Sequence, residues 1–206
     1  MRWRIDHLAV ACAALDEGTA AVEAALGVRL APGGQHALMS THNRLLGLGD
    51  LYLEVIAVDP LAPPPGHPRW FRLDGFTGAP RLTNWVAAVE ALDPALALAP
   101  AGAGRAVELA RGDLRWRMAV PESGCLPFDD AFPALIQWLG DAHPVARLPD
   151  AGVRLRRLLV AHPQAEALRA AVVGHLADPR LVIEAGAAKA MRAEFETASG
   201  WRHLEG

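Results

Sequence analysis

Two cysteines in 206 residues, Cys12 and Cys125, are too few for a disulfide framework. Stability must come from a packed core, and a reducing, cytoplasmic setting is the expectation. Charge of one sign is lacking too. Twenty basic against 23 acidic side chains leave a net charge of −3, which offers no electrostatic footing for nucleic acid or an anionic membrane. No apolar run reaches the roughly 18 residues that a spanning helix needs. The opening Arg2-Trp3-Arg4-Ile5-Asp6-His7 runs straight into a strand-like pattern, with no apolar leader segment. What is present is ordinary for a globular protein: 52% apolar and 21% charged residues, enough chain for one large domain or two small ones.

Taken in order, Ile5 to Cys12 alternates as a strand, with Leu8, Val10 and Cys12 on one face and Ile5, His7, Ala9 and Ala11 on the other. Asp16 can cap a helix ending near Leu26, with Gly27 as its C′ residue. A short strand begins at Val28, and Pro32-Gly33-Gly34 reads as a loop. Strand-like runs follow at Leu45–Leu48 and Leu51–Val58 around a Gly49-Asp50 turn. Residues 59–81, with Pro63-Pro64-Pro65-Gly66 and Pro68, read as an extended connector laid over the surface.

The pattern then starts again. Residues 82–93 repeat the alternation and helix start of residues 5–16 at an offset of 77, which places Asn84 opposite His7. Strand runs come at 106–110, 114–120 and 134–139, with Arg111-Gly112-Asp113 as a turn. Leu135-Ile136-Gln137-Trp138-Leu139 matches Tyr52-Leu53-Glu54-Val55-Ile56 in kind, setting Gln137 opposite Glu54. A partial third copy covers 153–206: a strand at 153–161, a helix to about Leu176, a strand at 181–184, and a segment at 190–196 readable as strand or helix. The division expected is 1–58, a connector 59–81, 82–145 and an extension 153–206 packed on the same domain.

Glu54 is a lone acid among Leu51, Leu53, Val55 and Ile56, so it is either exposed or given a partner, because an unpaired buried carboxylate costs several kcal/mol. His7 could be a strand histidine satisfied by Asp6 or Arg4. Asn84 and Gln137 could bond a backbone edge. From Thr41, alternation sends His42 and Arg44 to one face and Asn43 to the other. His42 and Asn43 could fix the hairpin; alternatively His36 or His42 meets a ligand or moves a proton. His143 is a candidate for a cavity mouth, while His162, His175 and His203 read as surface residues. Trp70, Trp85, Trp116 and Trp138 read as core or rim packing, with one or two walling an apolar cavity.

The segments Ile5-Asp6-His7-Leu8, Pro32-Gly33-Gly34-Gln35-His36, Thr41-His42-Asn43-Arg44-Leu45-Leu46, Tyr52-Leu53-Glu54-Val55-Ile56 and Leu135-Ile136-Gln137-Trp138 together resemble the glyoxalase-like branch of the vicinal oxygen chelate superfamily. The resemblance implies an α+β fold of paired βαβββ modules forming a cup-shaped mixed sheet around a central cavity. It implies a small-molecule ligand, and a divalent metal (Zn, Ni, Mn or Fe) held by His7, Glu54 and Gln137. Glu54 and His42 would be catalytic, and His36, Asn43, Asn84 and Trp138 would contact substrate. The chemistry implied is that of a lyase, isomerase or dioxygenase; the alternative is a metal-free binding protein. A monomer or homodimer is expected, with no nucleic-acid or membrane partner. The chain departs from the family pattern at Asn84 and Gln137, where many relatives carry histidine or an acid. Amide oxygens are weaker ligands than carboxylates.

Overall fold

The computed structural model describes residues 2–206. Eight strands make one curled sheet: β1 (Arg4–Ala11), β2 (Ala31–His36), β3 (Thr41–Gly47), β4 (Tyr52–Val58), β5 (Arg81–Ala88), β6 (Arg105–Arg111), β7 (Leu114–Val120) and β8 (Ala134–Trp138). Their order is β2-β3-β4-β1-β5-β8-β7-β6. Helices α1 (Leu15–Leu26) and α2 (Leu92–Leu98) each follow the first strand of a half. In each half the first strand runs parallel to the fourth, and β1 and β5 join the halves antiparallel. Leu8 lies directly across from Trp85, 77 residues on, so the offset read from the sequence is the register at which the modules meet. The expected α+β fold of paired βαβββ modules is the observed one.

Alternation sorts the side chains. Leu8, Val10 and Cys12 pack outward with Val22 and Leu26 of α1, whereas Ala9 and Ala11 face inward with Val86, Ala88, Met118 and Ile136. Ile5 joins the outward set rather than His7's face, because a bulge between Ile5 and His7 adds one residue and flips the alternation. Helix α1 starts at Ala14 without a side-chain cap; Asp16 lies inside the first turn, where its charge complements the helix dipole. Gly27 ends it in the left-handed region at φ 71°.

Three expectations need correction. Pro32-Gly33-Gly34 is not a loop but part of edge strand β2, where proline is tolerated and a register shift relaxes the ladder. The connector does not merely cross the surface: Trp70, Phe71 and Leu73 of a 3₁₀ turn, Trp70–Gly75, are buried in the inner core. Phe71 and Arg72 take φ of 58° and 53° there, and Arg72 pairs with buried Asp130, itself in a left-handed run with Phe128 and Asp129. Third, the C-terminal extension carries one strand more than expected.

That extension is β9 (Arg154–His162), α3 (Ala165–Val173), β10 (Leu181–Ala185), β11 (Ala190–Thr197) and β12 (Gly200–Glu205), in sheet order β10-β9-β11-β12. It repeats the element order of the modules but not their topology, since its first strand pairs with the second and third. The ambiguous 190–196 segment is a strand, and Leu155, Leu158, Val160 and Phe195 bury its inner face in the outward core. His162, expected at the surface, is buried against Asp129. No helix among the described residues is long and apolar enough to cross a membrane.

Candidate functional site

The curl of the sheet brings its two edge strands, β2 and β6, together and closes a cavity on the inner face. The cavity holds about 30 Å³, and its polar lining is His7, His36, Asn43, Tyr52, Glu54 and Arg111. Trp70, Phe71, Trp116, Met118, Ile136 and Trp138 supply the apolar wall. Its polarity is one-sided: every polar side chain but Arg111 comes from the first module.

Strand alternation explains the set. Leu53 and Val55 face outward, so Glu54 faces in, next to Ala9 on the parallel ladder. Asn43 lies across from Ile56 and shares the inner face, while His36 pairs with Thr41 at the end of β2. The extra residue of the β1 bulge places Asp6 and His7 together at the cavity floor.

Asp6 is the anchor. Its Oδ1 lies 2.7 Å from His7 Nδ1, and its Oδ2 accepts from Trp138 Nε1 at 2.9 Å and lies 3.0 Å from His143 Nε2. Burial alone would raise its pKa. The bonds from His143 and His7, with their charges, override burial and hold the carboxyl well below the usual carboxylate range. An ionised carboxylate only accepts, so Nδ1 of His7 carries a hydrogen and Nε2 is the ring nitrogen turned towards Glu54. The His7 ring stacks on Tyr52 at 4.4 Å. Burial, then the charges of Asp6 and Glu54, push the Tyr52 phenol pKa well up, so it stays protonated.

Facing His7 Nε2 at 3.7 Å is Glu54 Oε2, a gap too wide for a hydrogen bond. The other carboxylate oxygen accepts from Asn43 Nδ2. Asn43 Oδ1 in turn accepts from Gly34 N at 2.8 Å and from Arg111 Nη1 at 3.2 Å. His36 Nδ1 sits 3.0 Å from Thr41 Oγ1, and its Nε2 faces Asn43 Nδ2 and Arg111 Nη1, each at 3.5 Å. Burial drags the His36 pKa down to about 4, against the pull of Glu54, so His36 is neutral at pH 7.

His7, His36, Asn43, Glu54 and Trp138, all expected at the site, therefore converge. Three expected residues do not. His42 faces outward on β3, opposite to Asn43. Gln137 also faces outward, where its Oε1 accepts from Leu92 N at the start of α2. The pairings show why: Ala9 pairs with Glu54, and Val86, 77 residues beyond Ala9, pairs with Ala134. The counterpart of Glu54 is thus Ala134, and the sequence match to Gln137 slipped by three residues, an odd number that turns a side chain to the other face. Asn84 is buried with neither side-chain polar atom partnered, and it does not line the cavity. Sequence reading missed Arg111, which looked like a turn residue, whereas Trp70, Trp116 and Trp138, among the tryptophans read as core or cavity wall, do line the cavity. It placed Asp6 only as a neighbour of His7, without its bonds to Trp138 and His143. The signal available for Asp6 was an acid followed by histidine inside an apolar strand.

A cation held by His7, Glu54 and Gln137 does not fit this lining. Gln137 is outside it, and Asn43 and Arg111 surround His36 Nε2 with donors. At the position that corresponds to Glu54 the second module offers Ala134, which has no donor atom. Among the described residues no three His, Cys, Asp or Glu side chains form a metal-holding group, whereas a catalytic zinc site keeps three protein ligands.

The sequence model of the glyoxalase-like domain family matches residues 5–176. Among solved structures, a hypothetical protein from Staphylococcus aureus is 14% identical and superposes with a TM-score of 0.59, covering 92% of this chain and 88% of that one. A hypothetical protein from Bacillus halodurans is 12% identical with a TM-score of 0.45, covering 69% and 98%. A methylmalonyl-CoA epimerase from Mycobacterium tuberculosis is 17% identical with a TM-score of 0.44, covering 69% and 91%. The likeness to the first is one of fold. A comparison with curated proteins finds no match.

Proposed function

The chain belongs to the glyoxalase-like domain family of the vicinal oxygen chelate superfamily, and from that premise we propose that its cup binds a small carbonyl compound and moves a proton on the carbon beside the carbonyl. The observation that carries this reading is the facing pair His7 Nε2 and Glu54 Oε2, 3.7 Å apart in a cavity walled by tryptophans, with His7 backed by the ionised Asp6. Superfamily members commonly bind divalent metals; the donor set here does not fit one, so no step below uses a cation.

His7 Nε2 takes the proton from the carbon, the carbon–hydrogen electrons move into the carbonyl, and an enolate forms. The imidazolium this creates lies between the carboxylates of Asp6 and Glu54, which offset its charge. Trp70 lines the cavity and its buried indole N–H has no partner, so a small turn of the ring would offer it to the enolate oxygen. Returning the proton to that same carbon regenerates the carbonyl and completes an exchange, or an epimerisation where it arrives on the opposite face.

The test is proton exchange on 2-oxobutanoate in deuterated water, followed by NMR at carbon 3. Wild type should accelerate deuterium incorporation, and His7→Ala should abolish the acceleration. Saturable binding without any acceleration would reject catalysis and leave the second reading, a metal-free binding protein, favoured by the largely apolar cavity wall.

A further inference from the structure

A 30 Å³ cavity takes about two waters, not a ligand of ordinary size. Beside it lies a second hollow of about 620 Å³, within the range of small-molecule sites. Its walls include Leu30, Pro32, Leu45, Leu114 and Leu148, and it is rimmed by the turns around Gly112 and Pro149. The two spaces adjoin: Leu45 lies directly across from Glu54 on the β3–β4 ladder, and Leu114 belongs to the same inner core as Trp116. Arg111 lines both hollows, and among the described residues no other does. The smaller is an inner chamber and the larger its vestibule, with Arg111 as the partition.

The seam between β2 and β6 is shaped to let Arg111 through. A Cβ on Gly34 would come within 2.7 Å of Arg111 Cδ, and one on Gly33 within 2.1 Å of Asn43 Oδ1. The register shift of β2 falls at these two glycines. Arg111 then ends on two neutral partners, Asn43 Oδ1 and His36 Nε2, rather than on a carboxylate. A guanidinium has five donors in a planar fork that matches a carboxylate, so most of its capacity is left for a ligand. The vestibule lining adds Arg29 and Arg147 against one acid, Asp113.

We infer that the cup is a two-chamber site for a carboxylate with an apolar body: the carboxylate rests on Arg111, the adjoining carbonyl and the carbon beside it reach the inner chamber at His7 and Glu54, and the rest of the apolar body fills the vestibule between Leu45, Leu114 and Leu148. The assignment of the carbonyl rests on the proton-transfer reading above; the assignments of carboxylate and body do not. Straight-chain 2-oxo acids, from pyruvate to 2-oxooctanoate, are the probes.

Calorimetry on the full chain should show affinity rising about fourfold per methylene, as expected for burial of each CH₂, until the vestibule is filled. Arg111→Met should weaken every member at least about tenfold and Arg111→Lys less, since a lysine keeps the charge but not the fork. Leu148→Trp, on a surface loop away from the seam, should flatten the dependence on chain length; it keeps the test open should Arg111→Met unfold the seam. An affinity independent of chain length in the wild type, or unchanged in a folded Arg111→Met, overturns the inference. His7→Ala separates the two readings. Loss of deuterium exchange with the chain-length dependence intact supports both. A chain-length dependence with no exchange in the wild type rejects proton transfer alone, and exchange without chain-length dependence rejects the vestibule alone.

Discussion

The two halves of the cup share an element order, a sheet topology and a register, yet their inner faces differ in kind. The first module lines the cavity with His7, His36, Asn43, Tyr52 and Glu54; the second lines it with Trp116, Met118, Ile136 and Trp138, and one cation, Arg111. The outward faces show no such split, since Leu8 and Trp85, Val55 and Leu135 are alike buried and apolar. Packing is thus shared by both halves, while the means of handling charge is concentrated in one. A buried polar group needs partners, and the first module supplies its own: Asp6 for His7, Asn43 for Glu54, Thr41 for His36. The second reaches in through single long side chains, the indole of Trp138 to Asp6 and the guanidinium of Arg111 to Asn43.

The shared scaffold is broken most severely at the joint. Trp85→Ala should cost about 3–5 kcal/mol and Leu8→Ala about 2–5 kcal/mol in urea unfolding, because both leave cavities at the centre of the β1–β5 pair. Markedly unequal losses within those ranges would show that one half carries the joint.

The polar half should carry the acid sensitivity. Burial lowers the folded His36 pKa to about 4 against about 6.5 when unfolded. Between those values the unfolded chain binds a proton that the native state refuses, so stability falls as pH drops from 6.5 to 4, by on the order of 3 kcal/mol from this group. Unfolding measured at pH 7, 5.5 and 4.5 should show the slope, and His36→Gln should remove most of it.

Asp6 acts in a lower window and with a different origin. Its folded pKa is depressed, so its contribution is present above the unfolded value near 4 and is lost as pH falls below that. Asp6→Asn should be destabilised relative to wild type at pH 7, since three donors lose a charged acceptor. The difference should shrink below pH 4, and a difference constant down to pH 2.5 would show that Asp6 acts by packing alone.

The smallest effect sharpens the seam. Gly34→Ala should cost about 1 kcal/mol or less in stability, because the Arg111 side chain can yield. Its binding of 2-oxo acids should nonetheless approach that of Arg111→Met, since the guanidinium is then displaced from Asn43. Unaltered binding would mean that the passage tolerates a methyl group.

Much of this was legible in the chain. Period-two alternation is a local signal, and it placed His7, Asn43 and Glu54 on their faces; the lone acid in an apolar strand left exposure or a partner as the two outcomes, and the structure supplies the partner, Asn43. What failed was long-range or depended on irregularity. The β1 bulge and the three-residue slip at β8 each shift alternation by an odd step, which moved Ile5 and Gln137 to the opposite face. Arg111 meets Asn43 across 68 residues through closure of the sheet, and nothing near Arg111 in sequence signals that. The inward turn of the connector at Trp70 was hidden because proline-rich composition marks where regular structure stops, not whether the chain turns inward.

Deuterium incorporation into 2-oxobutanoate, compared between His7→Ala and Met118→Ala, decides whether the cup's chemistry belongs to the first module. Both residues line the inner chamber, one from each half. His7→Ala should lower the catalysed rate by about 10² or more, as loss of a general base does, while Met118→Ala should lower it by less than about tenfold. Equal losses from the two halves, or full exchange in His7→Ala, would contradict that assignment.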